Sequence, residues 1–340
     1  MRAIVAHAAK DLRIEERQRR EPGDDEVVVQ VERGGICGSD LHYFNHGGFG
    51  TVKLREPMIL GHEIAGSIIE SRSGLLAPGQ RVAVSPSRPC RNCNYCLEGK
   101  PNHCMNMRFY GSAMPFPHIQ GAFREQLTVR ADQCAPADDL SIGEAAMAEP
   151  LAVTVHAARQ AGNLVGKRVL VTGCGPIGLL CILVARSSGA VEVVATDIAD
   201  FPLQTAGAIG ADTAVNAAEE GALDTWYKGK GHFDVHFECT GVASALASAI
   251  PALRPGGTIV QLGLGGDMTL PVQQMTAKEL QLRGSFRFHE EFFTGNNWMR
   301  NGQIDVKPLI THTLALNNAI EAFELASDRS QALKVQLAFN

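Results

Sequence analysis

The 340-residue sequence predicts an α/β protein of two domains, one mainly β and one a doubly wound parallel sheet. Three observations predict this. Residues 1–85 run in short apolar stretches separated by turns, as in "EVVVQVERGG", "EIAGSIIES" and "GQRVAVS". From about residue 143 to 288, short apolar strands alternate with helix-patterned segments. After about residue 288 that alternation ends, so the chain is expected to return to the first domain. On this reading residues 1–150 with 288–340 form the first domain and 151–287 the second.

The elements follow in order. After the three strand candidates, residues 86–120 are rich in Pro, Cys and Asn and read as an irregular lobe. "GAFREQLTVRAD" returns to strand, and "GEAAMAEPLAVTVHAARQAG" reads as one helix from about residue 143. "KRVLVT" is a buried strand, followed by "GCGPIG" and an apolar helix through Ser188. "VEVVAT", "DTAVNA", "FDVHFECTG" and "GTIVQLGL" supply further strands, with "LQTAGAIGA" and "ASALASAIPAL" as helices between them. Strand–helix–strand units of this kind form right-handed crossovers in a parallel sheet.

Composition excludes several classes. Hydrophobic residues make up 45 % and charged residues 20 %, with a net charge of −5 and no Lys/Arg run, so no nucleic-acid partner is expected. The most apolar stretch breaks at Arg186 and is too short for a bilayer, so no membrane partner is expected either. The opening "MRAIVAHAAKDLRIEE" does not read as a signal peptide. A cytoplasmic protein is expected, in which clustered cysteines mean metal more often than disulfide.

Four of the nine cysteines form "CRNCNYCLEGKPNHC", with Cys90, Cys93, Cys96 and Cys104 spaced C-x2-C-x2-C-x7-C. Two-residue gaps let successive sulfurs meet at one ion, and the longer loop returns the fourth. Four thiolates close a tetrahedral zinc site with no position for substrate, so this site is structural. Cys134, Cys174, Cys181 and Cys239 lie in or beside apolar segments and read as small buried hydrophobes.

"VLVTGCGPIG" sets Gly173, Gly175 and Gly178 as G-x-G-x-x-G, with Pro176 and Ile177 opening the helix. The glycines give a tight turn, close backbone approach to a pyrophosphate, and helix-on-strand packing. Asp197 lies 19 residues beyond Gly178, where an acid meets the ribose hydroxyls. "IADFPLQ" after it has no Arg or Lys for a 2′-phosphate, so NAD is expected over NADP.

Three Gly- or Pro-bordered segments each offer a metal-ligand type: Cys37 in "GGICGSDLHYF", His62 and Glu63 in "LGHEIAG", and Glu149 in "AMAEPLAV". A carboxylate-rich set of this kind suits zinc or another divalent ion.

Together, "GHE", "CGSD", the four-cysteine lobe and "GxGxxG" resemble the zinc-containing medium-chain alcohol and polyol dehydrogenases, over essentially the whole chain. "GGICGSDLHY", "EPLAV", "MRFYGSAM" and "LRGSFRF" resemble its sugar-acid and polyol members. The resemblance implies a GroES-like catalytic domain, with its zinc lobe at 88–106, and a Rossmann domain that binds NAD. It implies two zinc ions per subunit, one catalytic and one structural, and a homo-oligomer, tetramer or dimer. Cys37 and His62 match catalytic zinc ligands. Glu149 stands where polyol dehydrogenases place a Glu and typical alcohol dehydrogenases a Cys; Glu63 matches a residue that can ligate directly in polyol relatives. Asp40 is expected to orient the site. Ser39 is expected to take the alcohol proton and His42 to pass it on. Arg287 matches an arginine that meets polyol hydroxyls. Tyr43 is a candidate partner for a substrate hydroxyl, and Arg108 and His118 are further candidates for a substrate carboxylate. The competing class is a silent protein using the fold for binding, with the lobe as a thiol switch; retention of Cys37, His62 and Glu149 weighs against it.

Overall fold

The computed structural model describes residues 1–339. Its first sheet is organised around the strand Glu26–Gly35, whose Val27, Val28, Val29 and Val31 are all fully buried. A β-branched run without polar alternation suits a strand covered on both faces. Glu63–Ser71 pairs antiparallel along one side of it. On the other side Gln126–Arg130 covers its first half and Lys334–Ala338 its last residues. Arg81–Val84 and Cys134–Pro136 extend one edge, and Ile310–Ala315 forms the other. The C-terminal strands Ile310–Ala315 and Lys334–Ala338 therefore lie in the first sheet.

The second sheet has six parallel strands. Their spatial order is Thr213–Asn216, Glu192–Asp197, Arg168–Thr172, Phe233–Glu238, Leu253–Gln261 and Gln281–Gly284. This is the doubly wound order 3-2-1-4-5-6, in which ligands bind outside the carboxyl ends at the switch beside strand 1. The sixth strand, "QLRG", is absent from the sequence reading because all four residues are exposed and carry no apolar pattern.

The helix expected from residue 143 is two helices, Ile142–Ala146 and Ala148–Ala161, meeting at Met147. Pro150 explains the break: its ring clashes with the carbonyl four residues earlier, at Ala146, where the first helix ends. Ser141 caps that first helix by accepting from the Glu144 N–H. Ala148–Ala161 packs on Pro176–Ser187 and on Glu291–Arg300 and also touches Glu63–Ser71. It lies along the seam between the sheets and carries Glu149 in its first turn. Among the described residues no helix is long and apolar enough to cross a membrane.

The glycine turn between Arg168–Thr172 and the helix Pro176–Ser187 is fixed sterically. Gly173 has φ of 85°, a left-handed conformation that favours glycine. A Cβ on Gly178 would lie 1.7 Å from the Gly173 carbonyl oxygen, whereas one on Gly175 would meet nothing within 4 Å. Gly178→Ala is therefore expected to destabilise the fold by about 1–3 kcal/mol or more. Gly175→Ala has room for its Cβ and should cost about 0.5–1 kcal/mol, the difference between Gly and Ala at an N-cap. Denaturant unfolding of the two variants checks the contrast.

Candidate active site

The dinucleotide loop presents open space at Gly175, which N-caps Pro176–Ser187 with Pro176 in its first turn. Free N–H groups at such a helix start favour a phosphate. Asp197 ends the neighbouring strand. Its Oδ2 accepts from the Cys174 N–H at 2.7 Å, and its Oδ1 accepts from Ile198 at 2.7 Å and Ala199 at 3.0 Å. The loop and the expected ribose acid are thus one hydrogen-bonded unit. The residues present fit a dinucleotide.

The four lobe cysteines offer sulfurs within 4.8 Å of one another. Cys93 Sγ lies 3.6 Å from Cys96 Sγ and 4.0 Å from Cys104 Sγ. A tetrahedral ion with Zn–S bonds of about 2.3 Å spaces its sulfurs by roughly 3.8 Å. A disulfide needs about 2.05 Å, and all nine cysteines are free. The Asn92 N–H lowers Cys90 to about 6, and the Met105 N–H lowers Cys93, whereas burial raises Cys96 to about 12. Backbone donors aimed at sulfur are the setting a thiolate ligand needs. This lobe fits a zinc ion.

The second cluster unites residues distant in sequence. Cys37, at the N-cap of the helix Gly38–His46, meets His62 and Glu63, with one donor atom from each within 4.8 Å of the others. Glu149 is buried beside this trio, outside the group of three. Burial and the Glu63 charge push the Cys37 thiol up to about 12. Burial, together with the charges of Glu63 and Cys37, pushes Glu149 up to about 8, against the opposing pull of His62. His62 Nδ1 is buried without a hydrogen-bond partner, 3.9 Å from Asp40 Oδ1. Acidic groups whose charged form the surroundings disfavour, gathered around a buried imidazole, fit a divalent cation, which would favour that charged form.

Asp40 sits beneath the cluster, fully buried. Its Oδ2 accepts from the Cys37 N–H at 3.1 Å and its Oδ1 from the Gly61 N–H at 2.9 Å. It thereby fixes the two backbone segments that carry Cys37 and His62.

Lys334, which the sequence reading missed, donates to Glu63 Oε1 at 2.8 Å, Glu63 Oε2 at 2.7 Å and the Ile36 carbonyl at 3.1 Å. All three ammonium donors are used, and both oxygens of Glu63 are engaged. The available signal was a lysine opening the apolar strand "KVQLA", which reads equally as a solvent-facing end.

The remaining candidates separate. Ser39 and His42 lie on the helix Gly38–His46, both half-buried. Burial lowers the His42 pKa, so its imidazole is neutral near pH 7 and able to accept a proton. Tyr43 is buried, and its hydroxyl accepts from the Ala113 N–H at 3.0 Å, leaving its own O–H to donate. Arg287 is half-buried, its guanidinium 4.4 Å over the Phe109 ring and 4.9 Å over Phe286. Its one side-chain acceptor is the Met114 sulfur at 3.5 Å, and no carboxylate pairs with it among the described residues. Arg108 is exposed on a two-residue strand. His118 is corrected to a structural residue. Its Nε2 accepts from the Arg55 N–H at 2.9 Å and its Nδ1 bonds the Pro115 carbonyl at 2.9 Å, so both ring nitrogens are taken.

Residues 23–139 match the model of the alcohol dehydrogenase GroES-like domain, and residues 176–301 match the zinc-binding dehydrogenase model. L-idonate 5-dehydrogenase (NAD(P)+) of Escherichia coli K12 is 45 % identical over 318 residues, covering 92 % of each chain. The chain belongs to the zinc-binding alcohol dehydrogenase family. Sorbitol dehydrogenase of Gallus gallus, another relative in this set, is 36 % identical, covering 98 % of this chain and 95 % of the relative. The crystal structure of the E. coli L-idonate 5-dehydrogenase superposes with a TM-score of 0.94 at 43 % identity, covering 99 % and 98 % of the two chains.

For this zinc-binding dehydrogenase, Asp40→Asn should test the backbone tie. An amide in place of the carboxylate turns its own NH2 toward one of the two backbone N–H donors, Cys37 or Gly61, so the expected cost is about 1–3 kcal/mol. Thermal unfolding and metal content after dialysis should fall together.

Proposed function

We propose that this protein is an L-idonate 5-dehydrogenase, oxidising the 5-hydroxyl of a sugar acid to a ketone with NAD. The observation that carries this reading is Arg287, a half-buried guanidinium with no carboxylate partner among the described residues. Its neighbours include Glu149 and Tyr43, so it stands beside the metal-ligand cluster. A sugar-acid carboxylate supplies the missing anion. The similarity to L-idonate 5-dehydrogenase points the same way. The second reading, a sorbitol- or xylitol-type polyol dehydrogenase, draws on the sorbitol dehydrogenase relatives.

Cys37, His62 and Glu149 would hold the catalytic zinc, and Cys90, Cys93, Cys96 and Cys104 the structural one, giving two per subunit. When bound, the zinc acidifies an alcohol and the nicotinamide accepts its hydride. Glu63, although within reach of the same ion, is held by Lys334 and tunes the charge behind it. Ser39 takes the alcohol proton and the neutral His42 passes it outward. Tyr43 donates to a substrate hydroxyl. Gly173, Gly175, Pro176, Ile177 and Gly178 seat the pyrophosphate, and Asp197 binds the ribose and disfavours NADP.

Residues 1–150 and 288–340 act as the catalytic domain, and 151–287 as the cofactor domain. The edge strand Gln281–Gly284 leaves a row of unpaired backbone groups and an exposed Leu282, which supports a homo-oligomer formed across it. Free cysteines throughout suit the cytoplasm.

The test follows NADH absorbance with L-idonate, D-gluconate, sorbitol and xylitol, each repeated with NADP. L-idonate with NAD should give the highest kcat/KM. Arg287→Ala should raise the L-idonate KM by about 10- to 100-fold, as loss of a charged hydrogen bond does, and leave the weaker sorbitol kinetics less changed. A preference for sorbitol or xylitol would move the protein to the second reading.

A further inference from the structure

The structural lobe and the substrate arginine are joined by contacts that neither zinc binding nor hydride transfer requires. Asn102 lies between the third and fourth cysteine ligands and is a buried polar side chain. Its Nδ2 donates to the carbonyl of Phe286 at 3.1 Å, across 184 residues of sequence. The adjacent His103 stacks on the Phe286 ring, with centroids 5.9 Å apart and planes at 25°. Phe286 immediately precedes Arg287 and lies under one side of its guanidinium.

The other contact face also comes from the lobe. Ser87–Arg88, just before the first ligand cysteine, pairs with Arg108–Phe109, just after the last. This ladder closes the base of the lobe, and Phe109 is the second ring under the Arg287 guanidinium. Phe109 also packs on the His62 ring, with centroids 5.6 Å apart.

Arg287 itself is held in an unfavourable backbone state. Its φ is 56°, in the left-handed region that an L-residue with a long side chain rarely adopts. Such a residue persists only where its surroundings over-determine it. Here they consist of Asn102 on the preceding carbonyl, His103 on the preceding ring, and Phe109 under the guanidinium.

We propose that the four-cysteine lobe positions the anion site of the substrate, with Asn102 as the positioning residue that fixes the Phe286–Arg287 peptide. This rests on the reading that Arg287 meets the substrate carboxylate. The lobe's role then extends beyond stability: its folded state sets the affinity for the sugar acid. Linkage makes the coupling reciprocal, so anion binding at Arg287 stabilises the lobe against loss of its metal.

Asn102→Ala and Asn102→Asp, the second nearly isosteric but without the donor, are compared with wild type and Arg287→Ala as purified holoenzymes. Both Asn102 variants should keep their zinc content and raise the L-idonate KM by about 5- to 30-fold, with kcat within about twofold. The double variant Asn102→Ala/Arg287→Ala should match Arg287→Ala alone, because the positioning residue then has nothing to position. Without turnover, zinc release to a mercurial thiol reagent should be slowed by L-idonate in wild type and unaffected by it in Asn102→Ala. If Arg287→Ala raises KM while the Asn102 variants change only thermal stability, the lobe is merely structural and the proposal is overturned. If Arg287→Ala itself leaves KM unchanged, the anion-site reading fails and the proposal falls with it.

Discussion

The catalytic half of the molecule depends on a buried excess of acid that one ammonium group does not balance. Asp40, Glu63, Glu149 and Cys37 converge from three sequence regions, with Lys334 the one lysine paired into the group among the described residues. Isolated buried charges cost several kcal/mol each, roughly, after relaxation. The fold offsets part of this with hydrogen bonds: two backbone N–H groups on Asp40 and the ammonium on Glu63. Cys37 and Glu149 remain, both pushed toward protonation by their surroundings. A divalent cation reverses that push by favouring the charged form of each ligand.

The topology serves this convergence. Cys37 follows the central strand Glu26–Gly35, Glu63 begins its antiparallel partner, and Lys334 begins the strand returning from the C-terminus. Glu149 arrives on a separate element, the seam helix that also packs against the helix of the glycine turn. One helix thus touches both the element after the glycine turn and the strand that begins at Glu63. The lobe reaches the same cleft by a third route, through Phe109 and Phe286.

Much of this was legible in the sequence because the chemistry demands fixed local spacing. The glycine turn is written in six consecutive residues, and a Cβ at Gly178 has no room. The lobe cysteines are close in sequence because they must be close in space. The Val-rich central strand announced itself by composition. Other features were hidden because they depend on tertiary position alone. Lys334 resembles an ordinary strand-end lysine until Glu63 is placed beside it. The strand Gln281–Gly284 has no apolar pattern because no layer covers its side chains. His118 was a candidate for a substrate carboxylate, but both ring nitrogens hold loop backbone. Pro150 was visible, yet its effect, a break at Met147, required knowing where the helix phase began.

Cobalt substitution at the catalytic site offers the most direct measurement of the central claim. The visible absorption of the cobalt(II) protein, with cobalt confined to the Cys37 cluster, reports both coordination geometry and sulfur ligation. Four-coordinate bands are expected with one sulfur-to-metal charge-transfer feature, abolished by Cys37→Ser and perturbed by L-idonate. A spectrum of six-coordinate cobalt, indifferent to Cys37→Ser, would contradict the claim and show that the buried acid cluster is not the metal centre.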